Sequence, residues 1–213
     1  MISAKTHNGA HLEFDPTSTA LVMIDFQKAF MDDQSNLAMR GYDMTPAKHA
    51  ASVAKPVLAL ARQHGLRVVH TREGYAPDLG DVNKPKLARG TVGTPGPLGR
   101  HLIRGEANQD IVDDLYPIPG EPVVDKPGFD GFFRSDLDAA LHGVDGLIIC
   151  GLTTECCVFS TIRSAVDRGF KVLTLVDACA GITQTAHNLT IQLLQQPQAQ
   201  FGLTAVTEDV SFA

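Results

Sequence analysis

The stretch "GLIICGLTTECCVFSTIRSAVDRGFKVLTLVDA", residues 146–178, contains a predicted strand, a helix and a second strand in succession. Its two ends, 146–151 and 171–178, are short apolar runs rich in β-branched residues. Between them, apolar residues recur at helical spacing over 158–166, and Gly169 suits the position just beyond a helix end. This succession is the repeating unit of a parallel sheet that is buried on both faces.

Similar apolar runs occur elsewhere in the chain and are separated by helical patterns. One helix is predicted to begin at Thr45 and Pro46 and to end at Gly65, Ser135 is predicted to cap a short helix, and a last helix is expected at 186–196. We therefore predict an α/β fold in a single domain, with a doubly wound, mainly parallel sheet of about six strands and helices on both faces. The remaining strands are predicted at 19–26, 66–71, 122–126 and 203–207.

Composition excludes several classes of protein. A chain of 213 residues with 44% hydrophobic and 20% charged residues is typical of a globular protein. The formal charge of −6, with both signs interspersed, argues against a nucleic-acid partner, which needs a clustered basic face. The apolar runs are too short to span a bilayer, and residues 1–14 lack the features of a signal peptide, so we expect a cytosolic protein with no membrane partner.

One long connection, roughly 73–120, has few periodic apolar residues. Connections of this length inside a domain are usually functional, so we expect a lid or a contact between subunits. It contains "GTVGTPGPLGR" at 90–100, but neither GxGxxG nor GxxxxGK[ST] is present, which argues against a nucleotide-binding domain.

Polar residues at the ends of three predicted strands are candidates for a site. In open parallel sheets, ligands bind at the carboxyl ends of the strands, where Asp25, Lys126 and Cys157 are predicted to lie. Each has a simpler interpretation: the Asp as a turn former, the Lys as a solvent-exposed side chain and the Cys as an inert core residue. Together they favour a nucleophile, because an ammonium group and a helix N-terminus both stabilise a thiolate, and Asp25 could carry its proton.

Three stretches carry a resemblance to a known family. These are "LVMIDFQKAF" at 21–30, "VVDKPGFDGFF" at 123–133 and "CGLTTECCVFSTIRSAVDRGFKVLTLVDACAG" at 150–181. In this order and spacing the chain resembles the isochorismatase-like cysteine hydrolases, from about residue 18 to 208. The resemblance implies a strand order of 3-2-1-4-5-6, which places the first and fourth strands side by side.

The resemblance also implies roles for individual residues. The nucleophile of the family precedes a valine, which selects Cys157 over Cys156, with Asp25 and Lys126 completing the catalytic set. The peptide bond between Leu152 and Thr153 is expected to be cis. That bond would direct the backbone N–H groups of Thr153 and Cys157 to one point, as an oxyanion hole.

The resemblance further implies the type of reaction. Nicotinamidases of the family carry an Asp-x-His motif at a metal site, but Asp43 has no histidine two places on, so we predict no metal and no cofactor, despite His70. The members that cleave isochorismate lack the cysteine, so Cys157 indicates hydrolysis of a small amide or ureide. Family members are commonly homo-oligomers, and we expect a dimer or tetramer.

Within the family, the chain resembles the branch of biuret hydrolase and related ureide amidohydrolases. The stretches responsible are "HTREGYAPDLGD" at 70–81, "GPLGRHLIRGE" at 96–106 and "DLYPIPGEPVVDKPG" at 114–128. In the biuret enzymes a basic residue tends to stand where this chain has a phenylalanine, so the resemblance assigns no particular substrate. A nicotinamidase-like or N-carbamoyl amino acid amidohydrolase-like enzyme and a non-catalytic assembly module remain alternatives. The predicted substrate-binding residues are Phe26, Gln27, Phe30, Phe129 and Glu155.

Overall fold

A computed structural model describes residues 1–198 and 200–212 as strands and helices that alternate along most of the chain. The strands are β1 (Ile2–Lys5), β2 (His11–Phe14), β3 (Thr19–Ile24), β4 (Arg67–Glu73), β5 (Val123–Lys126), β6 (Gly146–Leu152), β7 (Lys171–Ala180), β8 (Leu203–Ala205) and β9 (Val210–Phe212). The α-helices are α1 (Lys28–Met31), α2 (Asn36–Met39), α3 (Thr45–Gln63), α4 (Lys84–Ala88), α5 (Leu137–Ala140), α6 (Phe159–Asp167) and α7 (Gln184–Leu194).

Six strands form one parallel sheet in the order β5-β4-β3-β6-β7-β8. Counted along the sheet's own strands, this is the predicted order 3-2-1-4-5-6, and the predicted fold class is confirmed. Every residue of β3 and β6 is buried, as expected for central strands that are covered on both faces. The carboxyl ends of β3, β4, β5 and β6 therefore meet at one edge, which is where the candidate residues lie.

Two helices have boundaries that differ from the predictions, and α7 both begins and ends two residues early. Helix α7 begins two residues earlier than expected, because the Thr183 side chain caps it by accepting a hydrogen bond from the Ala186 N–H at 3.1 Å. Helix α5 has Asp136, and not Ser135, at its N-cap position. The Ser135 hydroxyl still accepts a hydrogen bond from the Leu137 N–H at 3.3 Å, so it contributes to the start of this helix from one residue further out.

A second sheet was not predicted. Strands β2, β1 and β9 form a three-stranded antiparallel sheet in that order, which joins the two ends of the described chain. Ile2 pairs with Phe14 on one side and with Phe212 on the other. Ile2 and Phe14 are buried in the main hydrophobic core.

The long connection after β4 has a small core of its own. Its only α-helix in the described chain is the short α4. Five buried apolar residues of the connection pack with Ala29 of α1 and form a cluster separate from the main core, whereas Ile111 and Leu115 belong to the main core. Among the described residues, no helix has the length and apolar character needed to cross a membrane. The members of this cluster from the connection are Tyr75, Val82, Val92, Leu102 and Ile103.

Candidate active site

A buried ion pair lies at the carboxyl edge of the sheet. Asp25 follows β3 with a positive φ of 52°, and Lys126 ends β5 two strands away. The Lys126 Nζ lies 2.7 Å from the Asp25 Oδ2, and both side chains are 0% exposed. Lys126 also donates a hydrogen bond to the Gly128 carbonyl at 2.8 Å, and the Thr71 hydroxyl donates one to Asp25 Oδ1 at 2.6 Å. The pair is therefore held from several sides and cannot be screened by water.

The predicted nucleophile lies next to this pair. Cys157 is in a π-helical turn, Thr154–Val158, which connects β6 to α6, and it is 2% exposed. Its Sγ, a carboxylate oxygen of Asp25 and one of Glu73 all lie within 4.8 Å of one another. The structure thus brings the three predicted catalytic side chains together and adds a fourth.

The surroundings of the sulfur oppose its ionisation. Burial raises the pKa of the Cys157 thiol; Lys126 lowers it, but the carboxylates of Asp25 and Glu73 raise it again, to well above the ordinary value. The sequence indicated one ammonium group and a helix N-terminus, but neither the desolvation nor the second carboxylate. These surroundings oppose the resting thiolate that the sequence favoured, so formation of the nucleophile calls for a base.

Asp25 has the properties of such a base. Burial and the Glu73 carboxylate raise the pKa of Asp25, against the opposing effects of Lys126 and Thr71. Burial lowers the pKa of Lys126, but the neighbouring Asp25, Cys157 and Glu73 outweigh it and raise that pKa, so Lys126 stays an ammonium group. A carboxylate whose pKa is raised toward neutrality is suited to accept a proton and return it.

The turn before the thiol has an unusual backbone. The Leu152–Thr153 peptide bond is cis, and Gly151 has a φ of 139°. A Cβ on Gly151 would lie 2.1 Å from the Ile24 carbonyl oxygen, so only glycine lets β6 approach β3 this closely. The Thr154 hydroxyl is hydrogen-bonded to His187 Nδ1 of α7 at 2.8 Å, which anchors the turn. The oxyanion hole of Thr153 and Cys157 stays a prediction.

Sequence reasoning missed Glu73. It ends β4, 3% exposed, in register with Lys126 of β5, and its Oε2 lies 3.7 Å from the Cys157 Sγ. Its other oxygen, Oε1, accepts hydrogen bonds from the Tyr75 hydroxyl at 2.6 Å and from the Lys86 ammonium group. Burial opposes ionisation, but Lys126, Lys86 and these hydrogen bonds lower the pKa of Glu73, which is a carboxylate.

The predicted substrate-binding residues divide into two groups. Gln27 is 0% exposed; its amide donates to the carbonyls of Glu73 and Gln109 at 2.9 and 2.7 Å and accepts from the Glu73 N–H at 2.8 Å. It therefore positions Glu73, and its contact with substrate stays a prediction. Glu155 Oε1 likewise accepts a hydrogen bond from the Ile182 N–H at 2.9 Å, which ties the turn to the segment after β7 and gives Glu155 a structural role.

The three predicted phenylalanines also have different surroundings. Phe26 is 1% exposed and belongs to the main core, which also includes Cys157. Phe30 lines a small cavity together with Leu152 and Thr153 of the turn. Phe129 is 38% exposed, with the Lys86 Nζ 4.0 Å above its ring. Phe30 and Phe129 remain candidates for substrate contact.

The side chains at the site include a group with the spacing of metal ligands. Within residues 1–198 and 200–212, one group of three acidic, His or Cys side chains is close enough to hold a metal ion, and it consists of Asp25, Glu73 and Cys157. The Lys126 ammonium group lies against Asp25 there. The other residue considered for a metal, His70, is buried and hydrogen-bonded to Glu121 at 3.0 Å.

One cavity of the described chain lies away from this site. It has a volume of about 680 Å³, lies on the surface beside α1 and α3, and is lined by Lys28, Lys48 and Asp113 among others. None of the three predicted catalytic residues lines it. The chemistry of the side chains, and not cavity size, therefore locates the candidate site, and the site is closed over the thiol.

A carboxylate, an ammonium group and a thiol are thus buried together at the carboxyl edge of a doubly wound sheet. The chain belongs to the isochorismatase family: the family's sequence model, described as the isochorismatase domain, matches residues 19–206.

Relatives and a solved structure agree with this family. The chain is similar to ureidoacrylate amidohydrolase RutB from Caulobacter vibrioides (strain ATCC 19089 / CIP 103742 / CB 15), with 33% identity over 180 residues that cover 78% of this chain and 79% of the relative. The relative of the same name from Pantoea ananatis is 29% identical and covers 78% and 70%. A cysteine hydrolase from Pseudomonas syringae pv. phaseolicola 1448A has the same fold, with a TM-score of 0.80, 23% identity and 92% of each chain covered.

Proposed function

We propose that this hydrolase is a cysteine-dependent amidohydrolase that cleaves a C–N bond of a small amide or ureide through a thioester on Cys157. The observation that carries the proposal is the proximity of the thiol to Asp25, within 4.8 Å, in a site closed to water. A second support is the family of the chain and the name of its relatives, ureidoacrylate amidohydrolase.

The first half of the reaction forms the thioester. Asp25 accepts the thiol proton as the Cys157 sulfur attacks the carbonyl carbon, and the C=O electron pair moves onto the oxygen. The N–H groups of Thr153 and Cys157 hold that oxyanion, and a donor of this kind lowers a barrier by about 3 kcal/mol. The C–N bond then breaks, and the nitrogen leaves with the proton that Asp25 returns.

The second half releases the acid. A water molecule attacks the thioester carbon and gives a proton to Asp25, the C–S bond breaks, and the Cys157 sulfur recovers the proton from Asp25. Throughout, the Lys126 ammonium group keeps the Asp25 side chain in position at 2.7 Å and offsets its buried charge. No cofactor enters this scheme.

A screen for ammonia release tests the proposal. Ureidoacrylate, biuret, triuret, maleamate, N-carbamoyl amino acids and nicotinamide each produce ammonia on hydrolysis, either directly or through an unstable carbamate. We expect turnover of at least one terminal ureide or primary amide. Cys157→Ser and Asp25→Asn should reduce kcat by at least about 100-fold, because each removes a group that acts directly on the reacting atoms.

Cys156→Ser is the matched control. It changes the neighbouring thiol in the same turn, and the proposed mechanism does not use that thiol, so most of the activity should remain. Full activity of the Cys157 variant, or equal losses in the two serine variants, would contradict the assignment of the nucleophile.

A further inference from the structure

The site contains a second buried carboxylate that the proposed mechanism does not use. Glu73 is 3% exposed, and its Oε2 lies 3.7 Å from the Cys157 Sγ. A like charge at this position disfavours a thiolate, so Glu73 opposes the formation of the nucleophile. Because Glu73 disfavours the nucleophile, its position in the site indicates a different function there.

The two oxygens of Glu73 have different surroundings. Oε1 accepts hydrogen bonds from the Tyr75 hydroxyl and from Lys86, both from the long connection. Lys86 is itself 7% exposed and lies over the Phe129 ring, which limits where its ammonium group can move. Oε2 faces the sulfur and accepts a hydrogen bond from the Cys157 thiol at 3.7 Å. The connection therefore fixes one oxygen and presents the other to whatever binds at Cys157.

Two carboxylate acceptors lie close enough together to bind both N–H groups of an unsubstituted amide nitrogen. An –NH₂ group has two N–H bonds about 120° apart, and hydrogen bonds of about 2.9 Å along both place their acceptors about 5 Å from each other. The oxygens of Asp25 and Glu73 that approach the sulfur lie within 4.8 Å of each other. Each carboxylate can thus accept a hydrogen bond from one of the two N–H groups.

We propose that Glu73 determines specificity by holding, together with Asp25, the unsubstituted –NH₂ of a terminal carbamoyl group, so that ammonia is the leaving group. This inference rests on the proposed function, in which Asp25 protonates the departing nitrogen. A nitrogen that carries a methyl group offers only one N–H, and the methyl group meets a buried carboxylate that is left without a partner. Unpaired buried acceptors of this kind give strong discrimination.

Glu73→Gln is the decisive substitution because it keeps the shape of the side chain. Tyr75 and Lys86 both donate to Oε1, so they hold the carbonyl oxygen of the glutamine at that end. The amide nitrogen then takes the place of Oε2 and presents a donor where the substrate also has a donor. Removal of the negative charge also favours the thiolate of Cys157. The rate of thiol alkylation should therefore rise while the rate of catalysis falls.

The experiment compares maleamate with N-methylmaleamate, and ureidoacrylate with its terminal N-methyl analogue. The wild-type protein should prefer the –NH₂ form by at least about 10-fold in kcat/KM. In Glu73→Gln, kcat/KM for the –NH₂ forms should fall about 10- to 100-fold, and the preference for them should shrink to within about 3-fold. The variant should also react faster with iodoacetamide at pH 8. Tyr75→Phe should move the preference in the same direction by less.

Glu106→Gln is the control. Glu106 lies in the same connection and is paired with Arg100 at 2.7 Å, away from the proposed chemistry, so its variant should keep the wild-type preference. A wild-type protein that uses both forms equally, or a Glu73→Gln variant that keeps the preference with an unchanged thermal midpoint, overturns this inference alone. No turnover of any amide in the screen overturns the proposed function and this inference with it.

Discussion

The buried pair of Asp25 and Lys126 makes a prediction about stability that is independent of any substrate. Both side chains are 0% exposed and their charged atoms are 2.7 Å apart. Lys126→Met keeps most of the buried volume but leaves the Asp25 carboxylate without its counter-charge. Breaking such a pair from one side costs about 3–5 kcal/mol. For a chain of this length, the midpoint of thermal unfolding should fall by roughly 6–20 °C.

The loss of folding stability in Lys126→Met should depend on pH. Without the ammonium group, the pKa of Asp25 in the folded protein rises further above its value in the unfolded chain. An acid whose pKa is higher in the folded state binds more protons there, so stability falls as the pH rises between the two values. The variant should therefore be closest to the wild-type protein in acid and furthest from it at neutral pH.

Urea unfolding of a double-mutant cycle measures the effect. Asp25→Asn combined with Lys126→Met removes both charges, so the double variant should be more stable than Lys126→Met alone at pH 7. The coupling free energy should exceed about 2 kcal/mol. Additive losses, or a Lys126→Met deficit that is equal at pH 5 and pH 8, would show that the two groups are not a mutually dependent ion pair.

Two other substitutions test the backbone and the base. Gly151→Ala should lower the free energy of unfolding by about 3 kcal/mol, because its Cβ would meet the Ile24 carbonyl at 2.1 Å; urea unfolding checks this. Gly143→Ala is its control, since it also has a positive φ but open space, and should cost about 1 kcal/mol. Thr71→Val removes a hydrogen-bond donor that lowers the pKa of Asp25. The acid limb of the pH profile of kcat/KM should therefore move to higher pH. An unchanged acid limb would contradict the role of Asp25 as the base.

The main sheet was predictable because parallel strands buried on both faces leave continuous apolar runs in the sequence. All six of its strands lie at the predicted places, within two or three residues at their ends. The antiparallel sheet was not predictable in this way. Its strands are three or four residues long, and the pairing of Ile2 with Phe212 joins segments at opposite ends of the described chain, which no local pattern encodes.

The site was predictable in its members but not in its electrostatics. The rule that ligands bind at the carboxyl ends of strands located Asp25, Lys126 and Cys157, and the same rule applied to β4 would have pointed to Glu73. In the sequence, however, Glu73 is a charged residue before a glycine, and its partner Lys86 is 13 positions further on, without any spacing that reveals the pair. The charge of the sulfur depends on burial and on that missed carboxylate.

The 2% exposed thiol of Cys157 also has a consequence for chemical durability. Peroxides oxidise thiolates that they can reach, and both the burial of this sulfur and the upward shift of its pKa work against such attack. The features that call for a base at this site therefore also slow the oxidation of its sulfur.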